Sequence, residues 1–161
     1  MTRPALTLTR TTEADLPLLF VFQTDKEGQR LAAFMPKDAG NREAWLEKHT
    51  KFLSDPNIHN CTIRLNGEIV GSIAKFVMEG EAELTYWIDR KHWGKGLASE
   101  ALSAFLQIER TRPIHGRVAF DNYGSQRVLE KAGFVRIGSD RGFAHARGEE
   151  IEEYIYQLTE G

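Results

Sequence analysis

The sequence predicts an α/β fold built on a mixed sheet, and three observations point there. Apolar residues recur at helical spacing between residues 12 and 55, then at a period of two from residue 58 to residue 88. Two turn signals, Asn66-Gly67 and the weaker Glu79-Gly80, cut the alternating stretch into three strands. Beyond residue 96 helix and strand take turns, and such crossovers bring strands together in parallel where hairpins make antiparallel pairs.

Each element has its own reason. Residues Ala5 to Arg10 alternate Leu6 and Leu8 against Thr7 and Thr9, a short strand. Thr12 followed by Asp15 resembles a capping box and opens a helix carrying Leu16, Leu19 and Phe20. A second helix starts near Asn41, with Trp45, Leu46, His49, Phe52 and Leu53 at helical spacing. It stops at Asp55-Pro56-Asn57, where proline removes a donor. Ile58 to Leu65, Glu68 to Met78 and Glu81 to Ile88 are the three antiparallel neighbours. After Gly96 a helix presents Leu97, Ala98, Ala101, Leu102, Phe105 and Leu106 as one stripe, and Pro113 stops it. Ile114 to Phe120 is a strand, and Asn122 to Lys131 a helix closed by Gly133. Phe134 to Ile137 and Ile151 to Leu158 are the last two strands, with Ser139 to Gly148 as a loop between them.

Bulk properties narrow the function. At 161 residues one domain over residues 1–161 is expected. Lys and Arg total 21 against 23 Asp and Glu, a net charge of −2 that gives no electrostatic case for nucleic acid. The single Cys61 excludes an intramolecular disulfide and fits a reducing cytoplasm. Met1 to Pro4 are not followed by an apolar stretch of signal length, and Leu16 to Phe22, interrupted by Pro17, is too short to span a membrane. The histidines His49, His59, His92, His115 and His145 show no metal-ligand spacing, so no metal is expected.

Two segments carry chemistry. In Asp89-Arg90-Lys91-His92-Trp93-Gly94-Lys95-Gly96-Leu97-Ala98 a strand ends, two glycines follow, and a helix begins. Unpaired N–H groups at a helix start attract phosphate, and glycines let the backbone come close; the same pattern also serves an ordinary turn. A Walker loop is excluded because Gly96 is followed by Leu97, where the motif needs Lys and then Ser or Thr. A dinucleotide fingerprint is disfavoured by register, although Ser99 and Asp121 leave it open. The second segment runs from Asn122 through Ser125 to Gly133-Phe134, and on its own it needs no function beyond a capped helix.

Together, Lys91-His92-Trp93-Gly94-Lys95-Gly96 and Asn122-x-x-Ser125 with Gly133-Phe134 resemble the GCN5-related N-acetyltransferase (GNAT) superfamily, in the branch of the bacterial ribosomal-protein N-terminal acetyltransferases. The motifs cover Glu81 to Phe134; Lys91 stands where the family usually has Gln or Arg. The resemblance implies a mostly antiparallel central sheet with helices on both faces, and acetyl-CoA as co-substrate. It implies that Lys91, Trp93, Gly94, Lys95, Gly96, Leu97 and Ala98 hold the pyrophosphate, and that Asn122 and Ser125 lie beside the pantetheine and thiol.

It also implies transfer of an acetyl group to a primary amine, by direct attack, in a monomer or homodimer. Many members place a tyrosine on the second helix as the thiol acid; the matching position here is Leu129, and Ser125 is the substitute. Its place in the first helical turn favours a nearby thiolate. Glu83, on the strand leading to the glycine loop, is the candidate base, on one face with Glu81, Thr85, Trp87 and Asp89. A solvated strand carboxylate is the plainer reading of Glu83, and a good helix starter that of Ser125. Arg141, His145 and Arg147 could hold an acceptor carboxylate. The alternative function is a non-catalytic acyl-CoA-binding or sensor domain, which Leu129 keeps open.

Overall fold

The computed structural model describes residues 5–161, so Met1 to Pro4 lie outside the described residues. In chain order the elements are β1 (Leu6–Arg10), α1 (Leu16–Gln23), α2 (Lys26–Ala32), α3 (Arg42–Phe52), β2 (His59–Leu65), β3 (Glu68–Met78), β4 (Glu81–Ile88), α4 (Leu97–Ile108), β5 (Ile114–Ala119), α5 (Tyr123–Lys131), β6 (Val135–Ala144) and β7 (Glu149–Leu158). The strands form one sheet in the order β1-β2-β3-β4-β5-β7-β6, antiparallel throughout except for β4 and β5. The expected mixed, mostly antiparallel sheet is therefore present. No helix among the described residues is long and apolar enough to cross a membrane.

Both hairpin turns sit where the sequence places them, with φ positive at Asn66 (51°), Gly67 (83°), Glu79 (51°) and Gly80 (79°), as the mirror-image turns that match strand twist require. The helices cover both faces. On one, the stripe of α4 (Leu97, Ala101, Leu102, Phe105, Leu106) joins Ile73, Leu84, Ile114, Leu129 and Tyr156 in the main core; each large side chain contributes roughly 1.5–3 kcal/mol by leaving water. On the other, Leu16, Leu19 and Phe22 of α1 pack with Trp45, Leu46 and Trp87. Asp15 fastens this layer down: buried, it accepts from the Thr12 amide at 3.0 Å and the Thr62 hydroxyl at 2.9 Å, and Arg64 pairs with its other oxygen at 3.2 Å.

Three expectations are corrected. Helix α2 was not foreseen; its Lys-Glu-Gly-Gln-Arg-Leu-Ala has no apolar stripe, and it forms because the Asp25 carboxylate caps the Gly28 amide at 2.8 Å. The crossover from β5 through α5 does not yield a parallel neighbour, because β7 inserts between β5 and β6. Ser139 to Gly148 is not a loop: β6 continues to Ala144, paired with β7 as far as Ala144 opposite Glu149, leaving a tight turn.

Candidate active site

β4 and β5 are paired at only three positions, Ala82 with Ile114, Glu83 with His115 and Leu84 with Gly116. Beyond them β4 continues to Ile88 and β5 to Ala119 with no ladder between them, so the sheet splits. The split opens into a cavity of about 1340 Å³. Trp93, Gly94 and Gly96 line it from the loop before α4, Leu97 and Ala98 from the first turn of α4, Asn122 and Ser125 from the cap and first turn of α5, and Glu83 from β4. Lys91 and Lys95 are not among its lining residues: Lys91 turns to Glu68 and Asp89 at 3.6 and 3.9 Å, and Lys95 to His92 at 3.4 Å.

The loop has the shape a phosphate group needs. Gly94 and Gly96 hold φ of 79° and 75°, a conformation that side chains disfavour, and a Cβ at either would meet nothing within 4 Å. The space above both is open. Gly96 is the N-cap of α4, so unpaired first-turn amides lie next to that space. The buried Nε2 of His92, which also lines the cavity, has no partner among the described residues. Trp93 donates its indole N–H to the Ile88 carbonyl at 2.9 Å, which anchors the loop to the end of β4. Asn122 accepts from the Ser125 amide at 3.3 Å and donates to the Leu31 carbonyl at 3.2 Å, tying α5 to α2.

Glu83 is only 3% exposed, so the solvated-carboxylate reading fails. Burial pushes its pKa up, while Arg117 and His115 pull it back. Arg117 Nε lies 3.3 Å from one carboxylate oxygen, and His115 Nδ1 lies 3.8 Å from the other. His115 sits 3.1 Å from the Ala82 carbonyl through Nδ1 and 3.2 Å from the Gln157 side-chain amide through Nε2. Glu81, Glu83 and His115 bring ligand atoms within 4.8 Å of one another, a grouping that chain spacing did not reveal. Both ring nitrogens of His115 are already engaged, which fixes the ring beside Glu83.

Ser125 is not reached by Glu83, which faces the α1–α3 side. It meets Tyr86 from the α4–α5 side, whose hydroxyl donates to Ser125 Oγ at 2.8 Å. Sequence alternation placed Tyr86 on the apolar face but could not place it at the split. Arg117 was likewise missed, and His92, though within the glycine-loop motif, was given no role, because their relevance lies in what they face. A Cys61–His59–Glu109 set lies away from the cavity, at 3.6 and 3.1 Å, and resembles a nucleophilic triad. Burial pushes the Cys61 thiol up, so it stays protonated and unreactive.

Residues 5–135 match the acetyltransferase (GNAT) domain model. The chain belongs to the GNAT family. It is 28% identical over 109 residues to an uncharacterized N-acetyltransferase, p20, of Bacillus licheniformis, covering 63% of this chain and 61% of that protein. It is 31% identical over 101 residues to another, YoaA of Bacillus subtilis, covering 57% and 56%. The matched part thus spans about three fifths of these relatives. Among solved structures, RimL, a ribosomal alpha-N-protein acetyltransferase in complex with coenzyme A, superimposes with a TM-score of 0.82 at 19% identity, over 96% of this chain and 94% of RimL. A spermidine N-acetyltransferase from Vibrio cholerae in complex with CoA and spermine gives 0.81 at 18%, over 96% and 95%.

Within this GNAT domain, Leu129 is a core residue, 2% exposed. It covers Gly116 on β5 so closely that a Cβ there would stand 3.0 Å from both its methyls. Leu129, the position at which the resemblance led one to expect a tyrosine, is here a packing residue. Arg147 is not free for an acceptor carboxylate, since both its terminal nitrogens bind Asp121. Arg141 is exposed on β6, and the exposed His145 packs edge-on to Phe143.

Proposed function

We propose that the chain transfers an acetyl group from acetyl-CoA to a primary amine in the cytoplasm. The observation that carries this reading is that one cavity, opened by the parting of β4 and β5, is lined by the glycine loop, by Ser125 and by Glu83. The loop residues Gly94 and Gly96, the first turn of α4 and Asn122 would hold the donor's pyrophosphate and pantetheine, through backbone amides and open space rather than lysine charge.

Glu83 accepts the proton of the incoming ammonium, directly or through a water, and the free amine attacks the thioester carbonyl. The C–S bond then breaks with its electron pair on sulfur, Ser125 donates a hydrogen bond to it, and the second nitrogen proton, made acidic by the attack, is lost to solvent as the amide forms. A thiol of pKa ~8.5 leaves readily as a thiolate so stabilised. The CoA-bound neighbours and the family membership support this reading.

The experiment is release of free thiol from acetyl-CoA, with and without a panel of amines. Acceptor-dependent release is expected. Tight acetyl-CoA binding with no release on any amine would favour the sensor alternative instead.

A further inference from the structure

The hydrogen bond between Tyr86 and Ser125 has a direction, and the direction matters. A serine hydroxyl carries one proton and two acceptor lone pairs. Tyr86 fills an acceptor site of Ser125 Oγ at 2.8 Å, and no acceptor for the serine's own proton is found among the described residues. Both residues line the cavity, so that proton is left to point into it. Ser125 is held from the other side by its amide bond to Asn122 Oδ1.

Tyr86 is itself well placed to stay put. Its strand pairs with β3, where it stands opposite Ile73, and its ring packs against the main core. Burial pushes its pKa up to about 12, opposed by the bond to Ser125. It therefore stays protonated at every working pH, and its hydroxyl proton remains available to Ser125.

We propose that Tyr86 is a positioning residue for acyl transfer, acting through Ser125: by occupying the serine's acceptor side it turns the Ser125 proton toward the departing sulfur. A hydroxyl that receives one hydrogen bond is also polarised into a stronger donor. No proton leaves Tyr86 in this scheme. The electron pair of the breaking C–S bond stays on sulfur and Ser125 donates to it; the ammonium's first proton goes to Glu83 and on to solvent, and the second nitrogen proton is lost to solvent as the amide forms. The inference rests on the reading of Ser125 as the donor to the thiolate.

The test is a double-mutant cycle on the full chain, with kcat, KM for acetyl-CoA, calorimetric acetyl-CoA affinity and thermal unfolding measured for each member. Ser125→Ala alone tests the role of the serine, and a loss of kcat of roughly 10²–10⁴ is expected. Tyr86→Phe removes only the hydroxyl, and kcat should fall roughly 5- to 20-fold with KM and affinity unchanged. In the Ser125→Ala background the same change should cost less than about twofold, because the group it acts through is gone. Equal losses from Tyr86→Phe in both backgrounds, or no loss in the wild-type background, would overturn the positioning role while leaving that of Ser125 intact. A silent Ser125→Ala would overturn both.

Discussion

Arg147, in the turn between β6 and β7, closes a two-pronged ion pair on Asp121, the residue before the cap of α5, at 2.8 and 2.9 Å. Its Nε also donates to the Arg30 carbonyl at 2.6 Å, and the neighbouring Ala146 amide to the Ala33 carbonyl at 3.1 Å. Three parts of the chain are fastened at one point: the hairpin turn, the end of α2, and the start of the helix that carries Asn122 and Ser125. The two side chains are mostly buried, 12% and 24% exposed, so the pair is screened less than a surface one.

Breaking that fastening should cost stability before it costs chemistry. Arg147→Met leaves Asp121 without its partner, a loss of about 2 kcal/mol, which lowers the melting temperature by roughly 4–8 °C. The hydrogen bonds from Arg147 hold the Asp121 pKa below its ordinary 3.8. A lowered folded value means that the stabilisation is present above the unfolded value and is lost as pH falls through the folded one. The difference in unfolding free energy between wild type and Asp121→Asn should therefore hold from neutral pH down toward 3.8 and narrow below it. A difference that grows with acid would contradict the pairing.

The pH dependence of turnover tests Glu83. The base must be ionised, so the rate rises with pH through its pKa, which burial raises and Arg117 and His115 restrain. Arg117→Gln removes the restraining cation, and the acid limb of the pH–rate profile should move to higher pH. Glu83→Gln should abolish that limb and slow transfer by roughly 10²–10⁴. A limb that stays in place in Arg117→Gln belongs to some other group.

Gly96 is the backbone test of the donor site. At φ 75° an alanine is strained whatever the space around it, by roughly 1–2 kcal/mol, and its methyl would stand in the open space next to the first turn of α4. Acetyl-CoA affinity, followed by calorimetry, should fall by roughly tenfold or more while far-UV circular dichroism stays native. Unchanged affinity would remove this loop as the pyrophosphate site.

What could be read from the sequence was whatever a local rule decides. Strands β3 and β4 and the start of α4 were legible because hairpin turns and a glycine pair bound them. Helix α2 was not: its Asp25 cap opens a segment with no apolar stripe, and the close seat of Gly28 against the Trp87 ring, where an added Cβ would stand 2.7 Å away, is tertiary. Strand β6 was cut short because Gly138, Ser139, Asp140 and Gly142 read as loop, whereas an edge strand exposed nearly throughout needs only its ladder to β7. In the site, Glu83, Ser125 and the glycines stood out as residue types in a motif. The parting of β4 from β5, which brings Tyr86 to Ser125, has no local signature at all.

The acceptor is where the energetics reach furthest. At pH 7 a lysine amine of pKa ~10.4 must give up its proton at a cost of roughly 4.6 kcal/mol, against roughly 1–1.4 for an α-amine near ~7.7–8.0. Glu83 does little to close that gap: burial makes it more basic, but Arg117 and His115 work against burial. The fold does not decide, because structural neighbours include both an alpha-N-protein acetyltransferase and a spermidine acetyltransferase. An α-amine should therefore be preferred over a side-chain amine. Competition between peptides that differ only in a blocked α-amine or a blocked lysine measures this, with spermidine as a third arm. Transfer that survives blocking of the α-amine but not of the lysine, or that runs fastest on spermidine, would show that the site deprotonates a strongly basic amine by means other than Glu83.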